Sequence, residues 1–281
     1  MRVLVTGSAG QLGHDVVAHC ASHGDDVIAA DRSRLDVGDR DLVHGAIAAA
    51  RPDVVVNTAA WTAVDACEGD RARAMRVNAL AARWLREACE LVGAHLVQLS
   101  TDYVFDGLLD RPYDEWDAPN PTSVYGASKL GGEREAGEGA TIVRTSWVAG
   151  AAGNNIVKTV LRLVEEHPTL SFVDDQRGCP TFTRDLAPML RRLAVDRRAG
   201  VHHVTNQGAV SWYEFVREIV ASTGRDPDLV EPISTADLRP PRPAPRPANS
   251  VLDNAALREA GLPLLRHHRE PLRELIVELG A

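Results

Sequence analysis

Cysteine is scarce and unpaired in this 281-residue sequence: Cys20, Cys67, Cys89 and Cys179 lie far apart, with no C-x-x-C spacing. That excludes a zinc knuckle, a redox dithiol and a secreted disulfide framework, and leaves buried apolar thiols as the expectation. Long apolar runs are missing too. The opening MRVLVTG passes at once into a glycine turn without an extended signal region, and no later stretch reaches membrane-spanning length. A cytoplasmic chain with no membrane partner is expected. Positive charge is in deficit, 31 Lys and Arg against 39 Asp and Glu, a formal net charge of -8. The protein's own field would oppose a sequence-independent grip on a phosphate backbone, so nucleic acid is set aside. No segment recurs at a fixed period, which removes solenoids and propellers. The pairs His202-His203 and His267-His268 have no further ligands at metal spacing, and no metal is assigned.

What is present is an ordinary globular composition, 44% hydrophobic and 25% charged, able to bury a substantial core. Short β-branched runs at 3–6, 27–30, 54–57, 96–100 and 141–145 alternate with helical patterns at 11–23, 39–50, 71–92 and 124–138. This is the pattern of βαβ units in a parallel sheet covered by helices on both faces. Gly24 and Gly93 read as helix stops. The fold class is therefore α/β, a doubly wound parallel Rossmann sheet with a smaller C-terminal substrate domain. Residues 1–150 form the dinucleotide-binding domain, to which 178–207 returns, and 151–281 form the substrate domain. Helices are expected at 155–166, 184–195 and 212–223, with short strands at 170–173 and 201–205. The polar, proline-punctuated stretch 106–123 reads as a functional loop or lid. RPPRPAPRP at 239–247 cannot form a helix or interior strand. It is a stiff linker, an SH3-type ligand, or a basic arm packed over an anionic substrate.

Gly7, Gly10 and Gly13 follow the first strand and open the first helix, with Gln11 and Leu12 between them. Glycines there give a tight turn and let the backbone and the helix N-terminus approach a pyrophosphate. Their G-x-x-G-x-x-G spacing resembles that of extended short-chain dehydrogenase/reductases. Asp31, 24 positions after Gly7, can accept hydrogen bonds from an adenosine ribose, which favours NADH. Arg32 beside it can pair with a 2′-phosphate, which favours NADPH. Asn57, Ala59 and Ala60 end the third strand beside the same groove.

Tyr125 and Lys129 stand one helical turn apart on a shared face. The ammonium is expected to lower the phenol from its ordinary value of about 10, so that Tyr125 can deliver a proton while Lys129 reaches a cofactor ribose. Thr101 ends the fourth strand at the carboxyl edge where open α/β sheets bind ligands, and can donate to a substrate carbonyl oxygen. Thr101, Tyr125 and Lys129 together read as a hydride-transfer triad.

Five blocks, STDYVFDG at 100–107, NTAAWTAVDACE at 57–68, YGASKLGGE at 125–133, RTSWVAG at 144–150 and DDQRGCPTFTRDLA at 174–187, resemble the dTDP-4-dehydrorhamnose reductase family through essentially the whole chain. The resemblance implies catalytic roles for Thr101, Tyr125 and Lys129, adenine contacts at Asp36 and Val37, and NADPH or NADH as cofactor. It implies that Thr62 and Val64 line the nicotinamide and sugar pocket, and that Asp102 and Tyr103 border the substrate. Trp147 would lie flat on the sugar ring, where the plainer alternative is a core indole. Arg246 and Asn249, with Ser250, would meet the diphosphate or base of a dTDP-sugar. Some members form a magnesium-bridged dimer, and Asp185 stands near one ligand position, so monomer and homodimer both stay open.

The implied reaction reduces the 4-keto group of dTDP-4-dehydro-6-deoxy-L-mannose to dTDP-L-rhamnose. Two rivals are another dTDP-4-keto-deoxysugar reductase and a non-catalytic cofactor-binding regulatory subunit. Sugar-nucleotide dehydratases need an Asp-Glu pair after the threonine, and here Tyr103 follows Asp102.

Overall fold

The β-branched runs form the sheet. The computed structural model describes residues 1–281, with β1 (Arg2–Thr6), β2 (Asp26–Ala30), β3 (Val54–Asn57), β4 (His95–Thr101) and β5 (Thr141–Thr145) within one or two residues of expectation. A sixth strand, Gly200–His203, pairs parallel to β5, and the order is Gly200–His203, β5, β4, β3, β1, β2. The chain switches side between β2 and β3, which opens a crevice beyond the carboxyl ends of β1 and β3 where such sheets bind ligands.

Strand alternation sends side chains into two separate cores. Val3, Val5, Val54 and Val56 pack with Leu12 and Val16 of α1 (Gln11–Ser22) and with Leu186 and Leu190 of α8 (Thr183–Val195). Leu4, Val55, Leu96 and Ile142 meet Val43 and Ile47 of α2 (Arg40–Ala50) and Leu85 of α5 (Ala81–Val92) on the opposite face. Burial on both faces explains why the strands read as continuous apolar runs. Asp39 caps α2 by accepting from Asp41 and Leu42 N–H, and Gly93 closes α5 at φ 76°.

The helix expected over 71–92 does not run uniformly. After α3 (Val64–Gly69), α4 (Arg71–Met75) passes into a π-helical turn at Arg76–Leu80 before α5 begins. At this turn α6 (Val124–Ala136) crosses closely: a Cβ on Gly132 would stand 2.2 Å from the Asn78 carbonyl oxygen. The widened turn frees Asn78, whose Nδ2 donates to Ser128 Oγ at 2.9 Å and to the Trp61 carbonyl at 3.1 Å, while its Oδ1 accepts from Trp61 N–H at 2.8 Å.

A third core lies beyond the sheet. Val160 of α7 (Ile156–Glu166) and Phe215 and Ile219 of α9 (Trp212–Ser222) pack with Leu170, Val230, Leu272 and Ile276. Its parallel strand pair joins Leu170–Val173 to Val230–Ile233, and the second of these, interrupted by Pro232, carries no alternating pattern. The terminal helices Ala255–Glu259 and Arg269–Glu278 were likewise unforeseen. Although the first lies in the segment read as substrate domain, Leu257, Leu262 and Leu265 bury against the sheet's α1 and α8 face.

Behind β4, Arg144 and Glu133 form a bidentate pair at 2.9 and 2.7 Å, with side chains 4% and 7% exposed. Such a pair is costly to break because the survivor stays buried and uncompensated. Arg144→Met is expected to lose about 3–5 kcal/mol in urea unfolding, and adding Glu133→Gln to recover much of that loss. Equal stability of parent and single variant would contradict the assignment.

Candidate active site

The turn after β1 can be built only with glycine. Gly7 has φ +66°, and a Cβ there would lie 2.7 Å from Ala59 N; a Cβ on Gly13 would lie 2.3 Å from the Gly7 carbonyl oxygen. Gly10 precedes α1 with no side-chain cap, so the first N–H groups of the helix point into the crevice. A cleft of about 260 Å³ opens there, walled by Gly7, Gly10, Asp31, Arg32, Asp36, Val37, Ala59 and Ala60. Asp31 Oδ1 accepts from the Ser33 hydroxyl at 2.6 Å and from Ser33 and Arg34 N–H. These bonds hold its carboxyl below the usual range, and its other oxygen remains for a ribose. Arg32 is exposed and stands 3.7 Å from Asp36. The uncapped helix, the glycine cradle and an ionised carboxylate at the second strand's end fit a nicotinamide dinucleotide.

Three residues expected in this groove turn their side chains away from it, while the backbone N–H groups of Gln11 and Leu12 stay at the helix end. Asn57 turns its side chain into the sheet, accepting from Thr6 Oγ1 at 2.6 Å and donating to Gln98 Oε1 at 2.7 Å. Leu12 points into the core beneath α1. Gln11 donates to the Asn154 carbonyl at 2.8 Å, tying the loop before α7 across the turn. Conversely, Trp61 and Arg73 line the cleft unforeseen, with the guanidinium 4.4 Å above the indole ring. Trp61 lies within the quoted 57–68 block; Arg73 arrives from α4 by packing and had no local signal.

Tyr125 and Lys129 sit on the buried side of α6, which Ser123 caps through Gly126 N–H. Gly126 is required because a Cβ would stand 2.1 Å from the Tyr103 carbonyl oxygen. The helix is thereby pressed onto the turn Asp102–Val104 that ends β4. Lys129 Nζ donates to the Leu99 carbonyl at 2.5 Å. Burial pushes its ammonium down to about 8, with Glu133 opposing that shift.

The phenol departs from expectation. Burial raises Tyr125 well above its ordinary value, and the charges of Asp102, Tyr103 and Cys67 add to the rise against a hydrogen bond with Thr101. Lys129, held by the Leu99 carbonyl, does not reverse this. The group is a protonated phenol, suited to donating a proton to a strong base. Thr101 Oγ1 donates to Asp102 Oδ1 at 2.9 Å and accepts from Tyr103 N–H at 3.2 Å. Asp102 itself is 2% exposed, so it lies beneath the cleft wall rather than on it.

A second cleft, about 310 Å³, is lined by Tyr103, Phe172, Gln176, Trp212, Leu238, Arg242 and Arg246. Tyr103 also meets Tyr125 edge-on at 5.6 Å, while Trp61 and Val64 pack with Tyr125 and Cys67. The phenol therefore lies between the two clefts. The proline segment borders the second one and is fastened by Asp65, which accepts from Arg246 at 2.6 and 2.7 Å and from Ala244 N–H. Arg246 above all pulls the Asp65 carboxyl down to about 2.

Thr62 is exposed. Asn249 faces elsewhere, its amide donating to the Leu109 and Arg111 carbonyls and holding the 106–123 loop. Trp147, at φ 47°, stacks on Trp212 at 3.6 Å and 7°, against a Gly178 that has no room for a Cβ. One face of the indole is thus covered by protein. Asp185 is engaged by Arg266 at 3.0 Å and Asn206 at 2.6 Å. All four cysteines are free and buried, and no helix is long and apolar enough to cross a membrane.

The family model of the RmlD substrate binding domain matches residues 1–280. A dTDP-4-dehydrorhamnose reductase of Streptomyces griseus is 45% identical over 282 residues, covering 97% of this chain and 92% of the relative. A probable dTDP-4,6-dihydroxy-2-methyloxan-3-one 4-ketoreductase of Streptomyces antibioticus is 43% identical, covering 100% and 96%. Among solved structures, the dTDP-4-dehydrorhamnose reductase of Bacillus anthracis str. Ames, in complex with NADP, superposes with a TM-score of 0.94 at 38% identity over 99% of each chain.

Because Gly13 touches the phosphate turn, Gly13→Ala is expected to weaken NADPH binding about tenfold or more, one decade per 1.4 kcal/mol of strain, in a fluorescence titration. Parent-like affinity would show that the turn tolerates the side chain.

Proposed function

The chain belongs to the dTDP-4-dehydrorhamnose reductase family, and from that premise we propose that it reduces the 4-keto group of dTDP-4-dehydro-6-deoxy-L-mannose to give dTDP-L-rhamnose. The observation that carries this reading is Tyr125 packed against Trp61 of a glycine-floored cleft and against Tyr103 of a basic, aromatic one. A bound nicotinamide would supply the hydride. Tyr125 would hold its proton until charge develops on the ketone oxygen and then release it there. The fixed ammonium of Lys129, one turn along α6, stabilises the phenolate left behind and can reach a ribose hydroxyl. Arg242 and Arg246 meet the diphosphate, while Phe172 and Trp212 offer apolar surface to a nucleoside.

Both NADPH and NADH fit the first cleft, since Arg32 and Arg73 border it together with Asp31. The four buried thiols suit a reducing compartment, and we place the protein in the cytoplasm. A second substrate stays in view because of the Streptomyces antibioticus relative: the same residues would reduce another dTDP-4-keto-deoxysugar, with the hydride face set by how the sugar sits.

The test is product identification by NMR after incubation with NADPH and dTDP-4-dehydro-6-deoxysugars of differing configuration. dTDP-L-rhamnose is expected, and no ketone-dependent NADPH oxidation with any of them would overturn the reading. Tyr125→Phe should lower kcat by about 10²–10⁴-fold with little change in NADPH affinity; full turnover would remove Tyr125 as proton donor. Arg32→Ala should weaken the preference for NADPH over NADH, and an unchanged ratio would show that Arg32 does not read the 2′-phosphate.

A further inference from the structure

Thr101 has one hydroxyl proton, and besides Tyr125, with which it shares a hydrogen bond, two acceptors claim it. One is Asp102 Oδ1, which receives it at 2.9 Å. The other is the ketone oxygen that the proposed reduction brings beside Tyr125. With its proton on Asp102, Thr101 presents only lone pairs to that oxygen, one already engaged by Tyr103 N–H. It would then repel the developing alkoxide rather than stabilise it.

Asp102 is built to be neutral for part of the time. Its side chain is sealed, its Oδ2 has no hydrogen-bond partner, and no Lys, Arg or His pairs with it. Its neighbours are Tyr103 on the same turn, Tyr125 from α6, Cys179 from the segment before α8 and Ser250 from beyond the proline arm. Arg246, which reaches the adjoining Tyr103, is paired with Asp65 and not with Asp102. Burying a carboxylate with one oxygen unsatisfied favours the acid form. Accordingly the group is pushed up to about 6 by burial, which outweighs the bond from Thr101 and the nearby Ser250 hydroxyl, itself donated to the Arg177 carbonyl at 3.2 Å.

We propose that Asp102 is a positioning residue for the reduction: as a neutral acid it donates to Thr101 Oγ1 and turns the threonine proton toward the substrate oxygen, and as a carboxylate it captures that proton. The inference rests on the reductase reading. No proton is consumed at Asp102, since Tyr125 still supplies the one that ends on the alcohol. A bound diphosphate adds negative charge and raises the fraction in the neutral form. An asparagine at this position would donate from its amide at every pH.

The experiment is the kcat profile between about pH 5 and about pH 7.5, below the main titration of Lys129 and far below that of Tyr125. For the parent protein, kcat should fall at least about threefold across this interval as Asp102 ionises, while in Asp102→Asn it should change by less than about 1.5-fold. Thr101→Val should also lose the fall, because the proton in dispute is gone.

Infrared difference spectra give a readout without turnover. A protonated-carboxyl band that titrates near pH 6 in the parent should be absent in Asp102→Asn and shifted in Thr101→Val. Should Asp102→Asn fail to fold, the comparison of parent with Thr101→Val still decides. A parent-like fall in Asp102→Asn or Thr101→Val, or a band unmoved by Thr101→Val, overturns the proposal alone. A parent that oxidises no NADPH with any keto-sugar at any pH fails the reductase reading, and the proposal with it.

Discussion

A lysine ammonium buried inside the protein, one helical turn from a buried phenol, is the constraint around which the site is assembled. Lys129 is 3% exposed, and an uncompensated charge at that depth would be lost or would unfold its surroundings. The Leu99 carbonyl and the charge of Glu133, one further turn along α6, keep it in place. Glu133 is itself held by Arg144 and Ser100. The stripe Tyr125, Lys129, Glu133 therefore fixes the face that α6 must present to β4. Gly126 and Gly132 are the positions at which the close approach leaves no space for a side chain. The π turn at Asn78 is the neighbouring helix's accommodation, and it binds Trp61 of the first cleft to Ser128 of α6.

The remaining architecture brings two different binding environments to that phenol. On the sheet side, the switch between β1 and β3 exposes an uncapped helix end and glycine backbone, which suit phosphate and admit little else. On the other side, aromatic rings and arginines from the third core and the proline arm form a wall suited to a nucleoside diphosphate. Asp65 reaches from α3 to lock the arm through Arg246. The locked guanidinium lies against Tyr103, whose ring touches Tyr125. The proline segment is thus not a free linker: Arg239 to Pro243 stay exposed, while Asp65 fixes the stiff chain at Ala244 and Arg246.

Much of this was legible in the order of residues. Apolar runs buried on both faces identified β1 to β5, and glycines placed directly after β1 announced the phosphate turn. The four-residue spacing of Tyr125 and Lys129 identified a shared helical face. What escaped depended on contacts between distant segments. Nothing in RVNAL at 76–80 marks a π turn, whose partners, Gly132 and Ser128, belong to another helix. Trp147 gave no sign of the Trp212 ring, sixty-five positions later, that covers one of its faces. Asn57 and Asn249 had suitable chemistry and suitable neighbours in sequence, yet the sheet interior and the 106–123 loop claim their amides. The phenol was misjudged for a related reason: spacing reveals the nearby ammonium, while burial, which dominates the shift, is a property of the whole fold.

The chemistry of the site turns on the proton state of Tyr125. An ultraviolet difference titration of the cofactor-free parent protein against Tyr125→Phe isolates the ionisation of this one phenol. No tyrosinate signal attributable to Tyr125 is expected below about pH 10, the ordinary value for a solvated phenol. A signal rising between about pH 7 and about pH 8 would mean that an unshielded ammonium controls the phenol, and would contradict a site that stores its proton by burial.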